Sequence, residues 1–156
     1  MNHPDPKNSK KLTTILIADD DDDDILLITD ILGHIDPGVK AEVVRNGLDL
    51  LSLLSHFVPD LLFLDLDMPG KNGLECLVEI RANPIYASMP VVIFSSTSRP
   101  ANIETAYEMG ADLFFIKPAN YQDLIVSMRA ILALDWGHPA KVKEQYLVNG
   151  RYQAFA

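Results

Sequence analysis

Five short apolar runs recur along the chain, and segments with helical spacing separate them. The runs lie at residues 13–18, 41–44, 61–64, 91–94 and 113–116. All but the second are nearly continuous in apolar side chains, which is typical of strands covered on both faces of a sheet. We interpret the five runs as buried β-strands of one sheet.

The segments between the runs repeat apolar residues at intervals of three and four positions. In the first segment Ile25, Ile28 and Leu32 fall on one helix face, and residues 124–132 follow the same pattern after the last run. Strand and helix therefore alternate five times, which predicts a parallel sheet with right-handed crossovers and helices on both faces. The predicted fold is α/β, a doubly wound (βα)5 domain.

Polar side chains stand where four of the predicted strands end. Asp19 and Asp20 follow the first strand, Asp65 the third, Ser95 the fourth and Lys117 the fifth. In doubly wound sheets, ligands bind outside the carboxyl ends of the strands. We expect these five side chains to converge on one edge of the sheet.

The chemistry of this set indicates a metal ion and a phosphoryl group. Two carboxylates about 4 Å apart repel by roughly 4 kcal/mol at an effective dielectric constant near 20. Lys117 supplies one compensating charge, and a hard cation with oxygen ligands, Mg²⁺, would supply the rest. A phosphoryl group bound by the metal and Lys117, with a hydrogen bond from Ser95, fits the set best.

The composition fits one globular domain and narrows its partners. The chain has 156 residues, 48% of them hydrophobic, and a formal net charge of −9. Such a charge repels nucleic-acid phosphates and anionic membranes, and no apolar stretch is long enough to span a bilayer. We expect a cytoplasmic protein that binds neither, with a polar N-terminal segment at 1–12, one domain at 13–134 and an aromatic tail at 135–156.

Four segments together resemble a known family. "PDLLFLDLDMPGKNGLECL" at 59–77 is similar to the phosphoacceptor segment of bacterial response-regulator receiver domains. "ILIADD" at 15–20, "PVVIFSS" at 90–96 and "ADLFFIKP" at 111–118 match the other motifs of that family in the same order. The resemblance covers about residues 13–132, and it implies a flavodoxin-like three-layer sandwich with strand order 2-1-3-4-5.

The resemblance implies a phosphoacceptor in a phosphorelay. Asp65 would accept a phosphoryl group from a histidine kinase or a phosphotransfer protein and form an aspartyl phosphate. Mg²⁺ would be held by Asp20, Asp65 and the backbone carbonyl of Asp67, with Asp19 acting through water. Lys117 would pair with the phosphoryl oxygens, and its bond to the following proline would be cis, as is common in the family. The protein would be a signalling protein with self-catalysed phosphotransfer and dephosphorylation, rather than a conventional enzyme.

The resemblance also implies how the signal leaves the domain. Ser95 would move toward the phosphoryl group, Phe114 would turn inward, and the face of the fourth helix, fifth strand and fifth helix would bind a downstream protein. The 22 residues at 135–156 are too few for an ordinary effector domain, so we expect a stand-alone regulator. Its motifs resemble regulators paired with phytochrome-type or hybrid kinases, and its aromatic tail either packs on the domain or covers a second copy.

One residue opens an alternative function. Asp67 makes an Asp-x-Asp pair with Asp65 and resembles the motif of haloacid-dehalogenase-type phosphatases, where Asp65 would be the nucleophile and Asp67 the acid. Chain order disfavours this, because the acidic pair Asp19 and Asp20 comes first rather than last, and Pro69 replaces the usual Thr or Val. In the receiver interpretation, a carboxylate at Asp67 puts the lifetime of the aspartyl phosphate in question.

The six consecutive aspartates at 19–24 divide into two groups in this interpretation. Asp19 and Asp20 belong to the metal pocket. Asp21–Asp24 form the turn and first coil of a helix, where carboxylates cap free amides and favour the positive end of the helix dipole. We assign no role in the site to the last four.

Overall fold

The computed structural model describes residues 11–155, which contain a five-stranded parallel sheet. The strands are β1 (Thr14–Ala18), β2 (Lys40–Val44), β3 (Leu61–Leu64), β4 (Val91–Ser95) and β5 (Leu113–Ile116). Their order is β2-β1-β3-β4-β5, and every pair is parallel. The predicted fold class and strand order are confirmed. Residues 1–10 of the predicted N-terminal segment lie outside the described residues.

Five helices follow the strands and a sixth belongs to the tail. They are α1 (Asp22–Ile35), α2 (Gly47–Leu54), α3 (Gly73–Ala82), α4 (Pro100–Glu108), α5 (Tyr121–Leu132) and α6 (Pro139–Gln145). An Asp or Asn side chain caps four of them by accepting a backbone N–H of the first turn; the caps are Asp21, Asn46, Asn72 and Asn120. Within residues 11–155, none of these helices has the length and apolar character needed to cross a membrane.

The two faces of the sheet carry separate apolar cores. Successive strand residues point to opposite faces, so in β1 Leu16 packs with α2, α3 and α4, while Ile15 and Ile17 pack with α1 and α5. The three inner strands (β1, β3 and β4) and the edge strand β5 are buried over most of their length, whereas β2 at the other edge is only partly buried. This explains why the second apolar run was the weakest in the sequence.

The tail folds into a short helix and a hairpin. After α6, the strands β6 (Leu147–Val148) and β7 (Arg151–Tyr152) pair antiparallel. Asn149 and Gly150 form the turn with φ of 53° and 76°, which are the positive values of a type I′ turn. The Asn-Gly pair between two short strands is a sequence signal for this hairpin.

The end of the tail lies along the free edge of β5. The backbone N–H of Phe155 donates to the carbonyl of Phe114 at 2.7 Å. The hydroxyl of Tyr107 in α4 accepts the N–H of Phe114 and donates to the carbonyl of Gln153, each at 2.9 Å. The ring of Tyr107 also stacks on Tyr152 at 4.5 Å between centroids. Of the two predicted positions for the tail, the structure has it packed on its own domain.

Candidate functional site

The sheet brings the predicted site residues to its carboxyl edge. Backbone hydrogen bonds continue one residue past the strands: Asp19 donates to Val44, Asp65 to Ala18, and Lys117 to Ser95, at 2.8–3.0 Å. These bonds fix the backbone under each functional side chain. The side chains are therefore placed by the sheet itself rather than by mobile loops.

Three carboxylates form a compact cluster at this edge. Asp19, Asp20 and Asp65 each offer an oxygen, and these oxygens lie within 4.8 Å of one another. Asp19 and Asp65 are buried, with 2% and 6% of their surface exposed, whereas Asp20 is exposed. The cluster therefore borders solvent at Asp20.

One buried oxygen of the cluster has no hydrogen bond. Oδ1 of Asp19 accepts the N–H of Asp21 at 2.9 Å, but Oδ2 has no hydrogen-bond partner within the described part of the chain. Oδ2 lies 3.2 Å from the Lys117 amine, close enough for an ion pair but outside hydrogen-bond geometry. A buried, incompletely satisfied carboxylate beside two others is a donor set that fits a divalent cation with oxygen ligands.

The amine of Lys117 lies among carboxylates. Its Nζ is 2.7 Å from Oδ2 of Asp24, 3.2 Å from Oδ2 of Asp19 and 3.8 Å from Oδ1 of Asp65. Burial alone would lower the pKa of Lys117, but the hydrogen bond to Asp24 and the charges of Asp65 and Asp19 raise it above its ordinary value. Lys117 is therefore a fixed positive charge in the site.

The positive charge of Lys117 does not compensate the carboxylates fully. Burial, together with the charges of Asp19 and Asp67, raises the pKa of Asp65 from 3.8 to about 7 against the opposing effect of Lys117. Burial also raises the pKa of Asp19. A cation bound among these groups would favour their ionised forms and so oppose the effect of burial.

Asp24 is a site residue that the sequence interpretation missed. The assignment of Asp21–Asp24 to the helix start holds for Asp21, whose side chain accepts the N–H of Asp24 at 3.0 Å. Asp24 also lies in the first turn of α1, as predicted, but it makes the shortest contact of the Lys117 amine and so belongs to the site as well. The apolar pattern of the helix could have identified Asp24, since it lies one turn before buried Ile28 and so faces the protein rather than solvent.

The loop after β3 is held close to Asp65. A Cβ added to Gly73 would lie 2.3 Å from the backbone oxygen of Asp65 and 2.8 Å from Cα of Leu66, so only glycine fits there. Asp67 is exposed, and its N–H points to Oδ1 of Asp65 at 3.4 Å. This contact is long, and it leaves the Asp65 carboxylate open toward the cluster.

The two predicted switch residues are both fully buried. The hydroxyl of Ser95 accepts the N–H of Thr97 at 3.3 Å, and Phe114 packs in the core that contains Tyr107. The ring of Phe114 is already inside the domain, so an inward turn would have to begin from a different conformation. The predicted cis bond is not found: Lys117–Pro118 is trans, the isomer that the X–Pro bond favours by about 0.5–1 kcal/mol.

The fold and site together define a phosphorelay protein. The chain belongs to the response regulator receiver domain family, whose sequence model matches residues 15–129. Apart from Thr14, the match spans all five strands of the parallel sheet, and it includes all the residues of the site. Family membership identifies the chain as a component of phosphorelay signalling and confirms the resemblance seen in the sequence.

Individual relatives fall in the same family. The DNA-binding response regulator MtrA of Mycolicibacterium paratuberculosis is 29% identical over 105 residues, which are 67% of this chain and 45% of MtrA. The phosphorylated cyanobacterial phytochrome response regulator RcpA is 28% identical, with a TM-score of 0.73 over 78% of this chain and 91% of RcpA. The Mn²⁺-bound response regulator Rcp1 is 27% identical, with a TM-score of 0.70 over 76% of this chain and 91% of Rcp1.

The relatives support the predicted subgroup but leave the predicted partners open. The likeness to phytochrome response regulators agrees with the predicted subgroup. The chain spans less than half the length of MtrA, which is a DNA-binding protein. The expected absence of nucleic-acid binding, the cytoplasmic location and the stand-alone arrangement therefore stay predictions.

Proposed function

We propose that this protein accepts a phosphoryl group on Asp65 from the phosphohistidine of a histidine kinase or a phosphotransfer protein. The observation that carries the proposal is the cluster at the carboxyl edge of the sheet. There Asp65 is buried beside two further carboxylates and within 3.8 Å of the Lys117 amine. This combination of a sequestered carboxylate, a metal-binding acid pair and a fixed cation is what phosphoryl transfer to an aspartate requires.

In the proposed reaction a carboxylate oxygen of Asp65 attacks phosphorus, and the bond between phosphorus and the histidine nitrogen breaks. The electron pair leaves with the imidazole. Lys117 donates hydrogen bonds to the phosphoryl oxygens, and the hydroxyl of Ser95 donates to another of them by turning from its present contact. Both groups stabilise charge that spreads over these oxygens as the bond breaks.

Mg²⁺ fits the carboxylate cluster and would complete it. We propose Asp20, Asp65 and the backbone carbonyl of Asp67 as its ligands, with Asp19 acting through water. When bound, the ion would neutralise the carboxylates and polarise the phosphoryl group. The Mn²⁺-bound state of Rcp1 supports this assignment, because Mn²⁺ and Mg²⁺ share a preference for oxygen ligands.

Asp67 is proposed to set the lifetime of the aspartyl phosphate. Its carboxylate is exposed on the loop that begins at Asp65, where it could orient a hydrolytic water or repel the phosphoryl group. Asp67→Asn should therefore change the rate at which the phosphorylated protein decays. Identical decay of the two proteins would refute this role.

The output face is proposed to comprise α4, β5 and α5. The tail crosses the α4–β5 part of this face, since Tyr152 stacks on Tyr107 and its N–H donates to Glu104 at 2.6 Å. The α5 part remains open, and Val126 there is 65% exposed. A downstream protein would read the open part together with the tail, or would displace the tail.

The test is phosphorylation by a small donor. The protein is incubated with Mg²⁺ and phosphoramidate, whose nitrogen takes up a proton from solvent and leaves as ammonia when its P–N bond breaks. Intact mass should rise by one phosphoryl group in the wild type and stay unchanged in Asp65→Ala. Labelling that persists in Asp65→Ala would overturn the proposed acceptor.

The same preparation tests the phosphatase alternative. A haloacid-dehalogenase-type enzyme would release many equivalents of phosphate from a generic phosphomonoester. A receiver should be labelled once by the phosphoramidate and show no multiple turnovers with the ester. Family membership favours the receiver, and sustained turnover that depends on Asp65 and Asp67 would reverse this conclusion.

A further inference from the structure

Asp24 is the residue of the pocket that the family chemistry above leaves without a role. It lies in the first turn of α1, and its side chain is 29% exposed. The metal-binding cluster in the described residues consists of Asp19, Asp20 and Asp65, and Asp24 is not part of it. Its direct contact with the site residues is the hydrogen bond that it accepts from the Lys117 amine, at 2.7 Å.

The geometry around the amine is uneven. Lys117 is 1.1 Å farther from Asp65 than from Asp24, from the 3.8 Å and 2.7 Å separations. The side chain of Lys117 is only 16% exposed, and its Nζ lies 5.0 Å from the centre of the Phe94 ring. A buried amine with one short carboxylate contact is held toward that carboxylate, because few other partners can replace the bond.

We propose that Asp24 is a positioning residue that holds the Lys117 amine toward α1 and competes with the phosphoryl group on Asp65 for it. The inference rests on the proposed function of Asp65. For Lys117 to donate fully to the phosphoryl oxygens, its bond to Asp24 has to lengthen or be shared. Asp24 therefore slows phosphorylation of Asp65 compared with a chain in which Lys117 is free.

The proposed role makes a specific prediction for Asp24→Asn. The amide keeps the shape of the carboxylate but loses the charge that attracts the amine. Labelling by phosphoramidate should become about three- to tenfold faster, the size expected when one partly buried charge-assisted hydrogen bond is weakened. Asp24→Glu keeps the charge and should restore a rate close to that of the wild type.

The neighbouring Asp23 supplies a matched control. It is exposed on the same helix turn, and it is not among the carboxylates within 4.0 Å of the Lys117 amine. Asp23→Asn changes the net charge and the helix dipole as Asp24→Asn does. It should leave the labelling rate within about twofold of the wild type, since exposed charges contribute little.

The experiment measures labelling rates of the full chain in Mg²⁺ and phosphoramidate by intact mass, with thermal unfolding to confirm that each variant is folded. Faster labelling of Asp24→Asn, rescue by Asp24→Glu and an unchanged Asp23→Asn support the proposal. Equal rates for Asp24→Asn and Asp23→Asn, with Asp65→Ala unlabelled, would overturn the role of Asp24 and leave the acceptor intact. Labelling of Asp65→Ala would instead overturn the acceptor. A variant that unfolds, or an Asp24→Glu that fails to rescue, would show a structural role and refute the proposal.

Discussion

Replacing Asp65 by asparagine should stabilise the metal-free protein, and the gain should depend on pH. The pKa of Asp65 is raised from 3.8 to about 7, mainly by burial. At about pH 8 the group is ionised in both the folded and unfolded states, so folding bears a cost of roughly 4 kcal/mol, at about 1.4 kcal/mol per pH unit. Asparagine removes this cost.

The expected net gain is smaller than the full ionisation cost. A buried amide beside Lys117 leaves part of its hydrogen-bonding capacity unused, which costs about 1–3 kcal/mol. Asp65→Asn should therefore raise the free energy of unfolding by about 1–3 kcal/mol at about pH 8, or Tm by about 3–10 °C for a chain of this size.

The sign of the pH effect follows from the direction of the pKa change. At about pH 4 the folded protein holds the proton on Asp65, and the unfolded chain is close to half protonated, so the wild type bears little cost. As pH rises toward 7 the unfolded chain loses its proton first, and the stability of the wild type falls relative to Asp65→Asn. The advantage of the variant should therefore appear between about pH 4 and pH 7 and then level off.

Thermal unfolding of both proteins in EDTA across this range is the assay, with exposed Asp23→Asn as the control for the loss of one charge. Added Mg²⁺ should stabilise the wild type more than Asp65→Asn and so reduce the difference. A difference in Tm that is independent of pH, or a variant less stable than the wild type at about pH 8, would refute the electrostatic account of the site.

Three further predictions concern the acceptor loop, the tail and the metal. Gly73→Ala should slow labelling of Asp65 by about tenfold or more, because the added Cβ displaces the loop; Gly33→Ala, which meets nothing within 4 Å, is the control, and equal rates would contradict the prediction. Tyr107→Phe should lower the free energy of unfolding by about 1–3 kcal/mol, because two buried hydrogen bonds are lost. Urea unfolding monitored by the fluorescence of Trp136 measures this, and an unchanged urea midpoint would contradict the prediction. Mg²⁺ at about 100 times its dissociation constant should add about 2.7 kcal/mol to wild-type stability, and no shift in Tm would argue against the metal site.

Much of the fold was predictable because burial and strand position leave clear patterns. The runs at 61–64, 91–94 and 113–116 are apolar at every position, and in the structure they are inner or covered strands. The strand ends then determined which polar residues share an edge, so Asp19, Asp65 and Lys117 could be grouped without coordinates.

Asp24 and the tail were harder to predict for different physical reasons. Asp24 lies in a run of six aspartates, and residue type alone does not distinguish it from its neighbours. Only its position on the helix directs its side chain toward Lys117. The hairpin at Asn149–Gly150 carried a local signal, but the position of the tail depends on Tyr107 in α4 and on Phe114 in β5, which lies 41 residues before its partner Phe155. Long-range contacts of this kind leave no periodic pattern in the sequence from which they could be predicted.

Because Phe155 bonds to β5, the two edge strands of the sheet, β5 and β2, should differ in how readily they pair with strands of other molecules. An uncovered edge strand is a template for pairing with other chains. At β5 the outward backbone groups of Phe114 are already bonded, because its carbonyl accepts the N–H of Phe155 and its N–H donates to the Tyr107 hydroxyl. The tail and α4 together therefore oppose the addition of another strand there. At the opposite margin β2 relies on charged Lys40 and Glu42 for the same protection. Truncation before Phe155 should therefore shift aggregation toward the β5 side, and the solubility of shortened versions would report it.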